Sequence, residues 1–120
     1  MAYTEYRSYY RKSGRKIKLA TLNGFELVNP DDIIFFISED RHTYVHLTLD
    51  REVLTSYSLK SLFSKLSEYE PLLQINRSTV INTKFLSGFD RIHSRCKLIA
   101  GNGTYEFQVS SGRFKEFDDL

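Results

Sequence analysis

A chain of 120 residues is the size of one domain and can bury roughly two thirds of its unfolded surface, enough for one core without metal or disulfide staples. Its 41 % hydrophobic and 27 % charged residues are an ordinary globular balance, and its longest apolar run, Ile33 to Ile37, is far too short to span a bilayer. The net charge of +2 argues against a protein that grips polyanions through a broad positive face.

That average is uneven. Residues 1–18 hold six basic side chains against Glu5, a net of +5, which leaves residues 19–120 at −3. Met1 to Gly14 has no helical or strand period and closes on Ser-Gly, so residues 1–15 read as a basic, tyrosine-rich arm or linker, either a solvated tail or an arm that touches phosphates. No charged-then-apolar signal peptide opens the chain, and the single cysteine, Cys96, excludes an internal disulfide and a cysteine zinc site. These absences fit a reducing, cytoplasmic setting. The strand-like neighbours of Cys96 suit a small buried hydrophobe.

Residues 16–120 read as one domain, and its pattern is mostly β. Lys16–Leu22 alternates with period two, and Asn23-Gly24 signals a type I′ turn into Phe25–Val28. Asn29-Pro30-Asp31-Asp32 breaks the chain before Ile33–Ile37, whose unbroken apolar run predicts a strand buried on both faces. A polar loop is expected at Ser38–Thr43. Tyr44–Leu49 then alternates, with Val45, Leu47 and Leu49 facing inward, and Glu52–Tyr57 is its hairpin partner. Ser58 caps a helix over Leu59–Tyr69 with Leu59, Leu62, Phe63 and Leu66 on one face, and Pro71 ends it. Strands follow at Leu72–Ile75, Thr79–Ile81, Phe85–Ile92 and Cys96–Ala100, and Gly101-Asn102-Gly103 turns the chain into Thr104–Val109. Ser110 or Ser111 caps a short helix with Phe114 and Phe117 on one face.

Catalysis finds no support in these residues. His42, His46 and His93 lie in unrelated segments without metal-ligand spacing, and His46 falls on the polar phase of its strand, where an exposed histidine is expected. Asp31-Asp32 and Asp118-Asp119 are adjacent pairs that rarely converge on a substrate. The two glycine-containing turns open no helix and cradle no phosphate. No catalytic residue, metal ligand or cofactor site is assigned.

The informative stretch is Leu72 to Arg95. From Gln74 to Lys97, Arg77, Lys84, Arg91, Arg95 and Lys97 stand against Asp90, a local net of +4, among short hydrogen-bonding side chains that suit base edges and phosphates. Lys84, Arg91, Arg95 and Lys97 are the phosphate candidates, with strand-face solvation the alternative for each.

Five motifs in register then point to one family: Asp31–Phe36 feeding a buried strand, Tyr44-Val45, Tyr57–Leu62 at the helix start, Gln74–Asn82 (QINRSTVIN), and Val109–Arg113 (VSSGR). In these the chain from about Ile17 to Phe117 resembles the LytTR family of bacterial DNA-binding domains. The resemblance implies an elongated, mainly β fold of about ten strands with one or two short helices, reading the major groove of double-stranded DNA through loops. It further implies the output domain of a bacterial transcriptional regulator, bound to paired direct repeats as a dimer on DNA, with a receiver domain or sensor-kinase pathway upstream. Carried over by position, the contacts are Arg41, His42 and Thr43 in the first loop and Asn76, Arg77 and Ser78 in the central signature, with Asn82 closing it. Ser110, Ser111 and Arg113 come last.

The departures are Gln74 where the family usually has arginine, Asn76 where it has histidine, and Ser111-Gly112 in place of paired arginines. They imply weaker, less salt-steep binding than a fully basic member shows. Asn76 either reads adenine or holds its own loop, and Arg77 either grips a guanine edge or pairs with a surface carboxylate. The first 16 residues cannot fold as a receiver domain, which leaves either a stand-alone regulator or an output domain preceded by a linker. The alternative function is a β-rich protein-interaction or small-ligand-binding module that does not bind DNA.

Overall fold

The computed structural model describes residues 16–120, so the basic arm over residues 1–15 lies outside the described residues. Ten strands and two short helices follow in order: β1 (Ile17–Thr21), β2 (Gly24–Val28), β3 (Ile33–Glu39), β4 (His42–Leu47), β5 (Arg51–Thr55), α1 (Leu59–Lys65), β6 (Leu72–Asn76), β7 (Thr79–Asn82), β8 (Leu86–Asp90), β9 (Arg95–Ala100), β10 (Gly103–Gln108) and α2 (Phe114–Asp118). An antiparallel sheet of seven strands runs in the order β2-β1-β5-β4-β3-β7-β6, and a second of three runs β10-β9-β8. The whole measures 51 × 31 × 25 Å, the elongated, mainly β domain that the resemblance implies.

Strand β3 organises both cores. Ile33 and Phe36 join Leu19, Val45, Leu47 and Val80 beneath Leu59, Leu62 and Leu66 of the α1 side. Ile34 and Phe35 face the other way, toward Ile75, Ile81, Cys96, Leu98, Val109 and Phe117. Two consecutive residues share that second side because the β3–β4 register shifts between Ile33 and Phe35, a bulge that turns the pleat by one residue. The run IIFFI is thus apolar throughout because neither face of β3 meets water.

The start of β3 is latched to the segment after α1. Ser58 accepts from the Ser61 amide at 3.1 Å and caps the helix as expected. The helix ends at Lys65, well before the expected Tyr69, because the chain unwinds to bring the Tyr69 hydroxyl to Asp31 Oδ1 at 2.7 Å. Asn82, fully buried, donates to the Ile33 carbonyl at 2.8 Å and accepts from the Lys84 amide at 2.9 Å.

Several local expectations are corrected. The first hairpin turns at Leu22-Asn23 with Thr21 opposite Gly24, and neither turn residue has positive φ, so this is not a type I′ turn at Asn23-Gly24. The polar loop at Ser38–Thr43 shrinks to Asp40-Arg41, since Glu39 pairs with His42 and Asp40 takes φ 57°. Leu49 does not face inward: it lies at the β4–β5 turn, 89 % exposed, at φ 60°. His46 is buried rather than exposed, because the three-stranded sheet covers the polar phase of β4; it stacks on Phe35 and bonds the Tyr105 hydroxyl at 3.0 Å. Strand β8 stops at Asp90, which leaves Ile92 in a loop. Neither Ser110 nor Ser111 caps α2: a 3-10 turn over Ser111–Arg113 intervenes, and no side chain caps either element.

Candidate nucleic-acid interface

Antiparallel pairing brings segments that are distant in sequence to one end of the molecule. Glu39 at the end of β3 sits beside the β3–β4 turn that carries Arg41, and the Ser38 amide donates to the Ser78 carbonyl at 2.8 Å. The β6–β7 turn at Arg77-Ser78 therefore lies two strand spacings from Arg41, about 10 Å. The C-terminal segment joins at the same end, where the Ser110 amide donates to the Ile75 carbonyl at 2.9 Å. The β8–β9 loop completes the row through the Val109 amide, which donates to the Ser94 carbonyl at 2.8 Å.

Asn76 is the keystone of this end. Its Oδ1 accepts from the Ser78 amide at 2.9 Å and from Ser78 Oγ at 3.2 Å, while its Nδ2 donates to the Gln108 carbonyl at 2.7 Å. One short side chain fixes the β6–β7 turn and ties it to the end of β10, and each of its polar atoms has a partner. Gln74 adds a bond from Nε2 to the Asn76 carbonyl at 3.0 Å. Asn76 thus makes the contacts of a loop-holding residue. Asn82 is likewise structural, as the turn-shaping reading has it.

The cations of this end differ in how free they are. Arg77 and Arg41 are exposed and make no ion pair among the described residues. Arg113 Nη1 reaches Glu116 at 3.1 Å, Arg95 Nε reaches Glu106 at 3.4 Å, and Arg91 pairs with Asp118 while lying over the Phe89 and Phe114 rings. His42, Ser78 and Ser111 are exposed beside them. Thr43 is not available: it is fully buried, its hydroxyl donates to the Tyr57 carbonyl at 2.9 Å, and its carbonyl accepts from the Thr55 hydroxyl at 2.9 Å.

The +4 stretch is not one patch. Lys84 lies at the opposite end of β7, where its Nζ is 3.2 Å from Asp31; the seven residues of β3 separate the two ends by about 20 Å. Lys97 points outward from the middle of β9 between buried Cys96 and Leu98. Burial pushes the Cys96 thiol up to about 11, so it stays protonated within the second core. Hydrogen bonds from His93, through its ring Nδ1 at 2.6 Å and its amide at 3.1 Å, hold the Asp90 carboxyl below its ordinary value. Sequence reasoning did not count the Arg91–Ser94 loop as part of this end, since its left-handed residue is Ser94 at φ 53°, not a glycine or asparagine that would mark a tight turn. Among the described residues no cluster of three metal-ligating side chains occurs, and no helix is long and apolar enough to cross a membrane.

The model of the LytTR DNA-binding domain family matches residues 23–120. The chain belongs to the LytTR DNA-binding domain family. Among solved structures, this LytTR domain is similar to one from Bacillus cereus, described as the LytTR DNA-binding domain of a methyl-accepting/DNA response regulator. The two share 22 % identity and a TM-score of 0.68 over 88 % of this chain and 95 % of that one, a likeness of fold. No curated protein matches the chain.

Proposed function

We propose that this LytTR domain binds double-stranded DNA sequence-specifically through the row of turns at the Arg77 end, as the output domain of a transcriptional regulator. The observation that carries the proposal is convergence: Arg41, Arg77 and the Ser111–Arg113 turn come from three distant parts of the sequence to one end. Arg77 and Arg41 remain unpaired there while neighbouring arginines are held by carboxylates. Turns from antiparallel strands present their tips to a groove without an inserted helix. Arg77, held by the Asn76-braced turn, is the base reader, with a bidentate contact to a guanine edge its natural mode. Arg41, His42, Ser78, Ser111 and Arg113 flank it. Arg91 and Arg95 reach phosphates at the edge of the row with the guanidinium N–H groups that their carboxylate partners leave free.

Lys84, at the opposite end, and buried Thr43 stand outside the proposed contact set, whereas Lys97, on the same exposed face of β9 as Arg95, stays a phosphate candidate. Several tips on one end suit successive major grooves of one duplex, with two copies on paired direct repeats. A receiver domain or sensor-kinase pathway acting upstream, and a cytoplasmic setting, complete the reading. Selection from a randomised duplex pool, followed by fluorescence anisotropy on duplexes with one or two copies of the enriched motif, tests it. Enrichment of a motif, with tighter binding to two copies than to one, is expected; retention of no duplex at low salt contradicts it.

A further inference from the structure

We infer that Ile92 reads the C5-methyl group of a thymine in the bound duplex, an inference that rests on the DNA-binding function proposed above. Ile92 is 89 % exposed at the tip of the β8–β9 loop, on the end of the molecule that carries Arg77 and the Ser110–Arg113 segment. An isolated exposed aliphatic side chain is ordinary on a protein surface. This one differs in how it is held.

Both neighbours of Ile92 are tied back toward the protein. Arg91 pairs with Asp118 of α2, and His93 is clamped by Asp90 through its ring and its amide. The loop closes at Ser94, whose positive φ turns the chain and whose carbonyl accepts from the Val109 amide at 2.8 Å. Three separate anchors thus fix four residues and leave the isoleucine, more exposed than either tied neighbour, as the apolar side chain projecting from them. Its β-branch restricts χ1, so little side-chain entropy is lost when it docks.

A stiff apolar projection in a row of hydrogen-bonding and cationic tips supplies something the others cannot. Arginine, serine and asparagine read donors and acceptors, whereas the thymine methyl is the one apolar feature of the major-groove edge. Leu49, equally exposed, lies at the opposite end of β4 and belongs to no such row. Contact with the methyl also explains how a domain with few free arginines gains discrimination without added charge.

The test is parallel selection from a randomised duplex pool with the wild-type chain and Ile92→Ala. Anisotropy follows on the wild-type consensus, with each thymine replaced singly by deoxyuridine, which removes the methyl and keeps every hydrogen bond. One thymine is expected at which deoxyuridine weakens wild-type binding about fourfold, the value of one buried methyl-sized group, while Ile92→Ala is indifferent there. The variant's selected motif should lose its thymine preference at that position. Deoxyuridine scans that are flat for the wild type, or parallel for both proteins, overturn the inference. An Arg77→Ala control separates the failures. If it alone loses binding while the scan is flat, only the Ile92 contact falls; if the wild type retains no duplex, the DNA-binding reading falls with it.

Discussion

Asn76→Ala separates a residue that positions the interface from one that touches DNA. The substitution removes the 2.9 and 3.2 Å bonds to Ser78 and the 2.7 Å bond to the Gln108 carbonyl. Each neutral bond contributes about 0.5–1.5 kcal/mol, and water reaches this half-buried turn and takes over some of the freed groups. The expected net loss is about 1–2 kcal/mol, which for a domain of this size lowers Tm by about 5–10 °C. Denaturant unfolding should show it, and amide exchange at Ser78 should quicken because its acceptor is gone. DNA affinity should fall about tenfold or more, through misplacement of Arg77. Unchanged stability and unchanged Ser78 exchange, together with lost DNA binding, would show that Asn76 meets a base directly and that its role is misassigned here.

Three further outcomes follow from the fold. Asn82→Ala strands a buried carbonyl at Ile33 and a backbone amide at Lys84, and should cost about 2–4 kcal/mol in denaturant unfolding while leaving the DNA affinity of the folded fraction unchanged. Gly101→Ala meets no atom but forces φ +58° on a residue with a Cβ, so a loss of about 1 kcal/mol is expected in the same assay. The Asp31–Tyr69 latch makes stability depend on pH at both extremes. Burial and the Asp31 hydrogen bond push the Tyr69 hydroxyl from 10.0 up to about 12, so the folded state holds its proton while the unfolded state loses it. Stability from this group is full below pH 10.0 and is lost as pH rises toward about 12. The Tyr69 hydrogen bond, with Lys84 alongside, lowers the Asp31 carboxyl, so its contribution is full above the ordinary carboxylate range and is lost as pH falls through the lowered value. Tyr69→Phe should remove the alkaline loss, as read from denaturation midpoints across pH.

Elements set by local chemistry were legible in the sequence. The Ile33–Ile37 run announced a strand buried on both faces, Ser58 announced its helix, and the glycine at 101 marked its hairpin. What depended on the second sheet was not. His46 alternates as an exposed strand residue does, and only the β8–β10 layer packed over it makes it a core residue bonded to Tyr105. The bulge that puts Ile34 and Phe35 on one side leaves no trace in a run that is apolar throughout. Charge summed along a segment misled in the same way. Lys84 lies seven residues from Arg77 in sequence, yet β7 carries it to the other end, where Asp31 takes it. The candidate contacts at Arg41 and Arg77 were legible as motif positions, whereas the tie from Asn76 to Gln108 and the projection of Ile92 are products of tertiary pairing.

The overall charge of this LytTR domain suits that arrangement, with a few placed tips at one end and carboxylates holding Lys84, Arg91, Arg95 and Arg113. The central claim is that one end, and not the basic segment as a whole, meets DNA. Anisotropy titrations of Arg77→Ala and Lys84→Ala on the selected duplex, across a series of salt concentrations, test it most directly. Arg77→Ala should weaken binding by about 1–3 kcal/mol with relaxed preference at one base pair, while Lys84→Ala should bind with wild-type affinity and an unchanged salt slope. Equal losses for the two variants, or wild-type affinity for Arg77→Ala, would contradict the account.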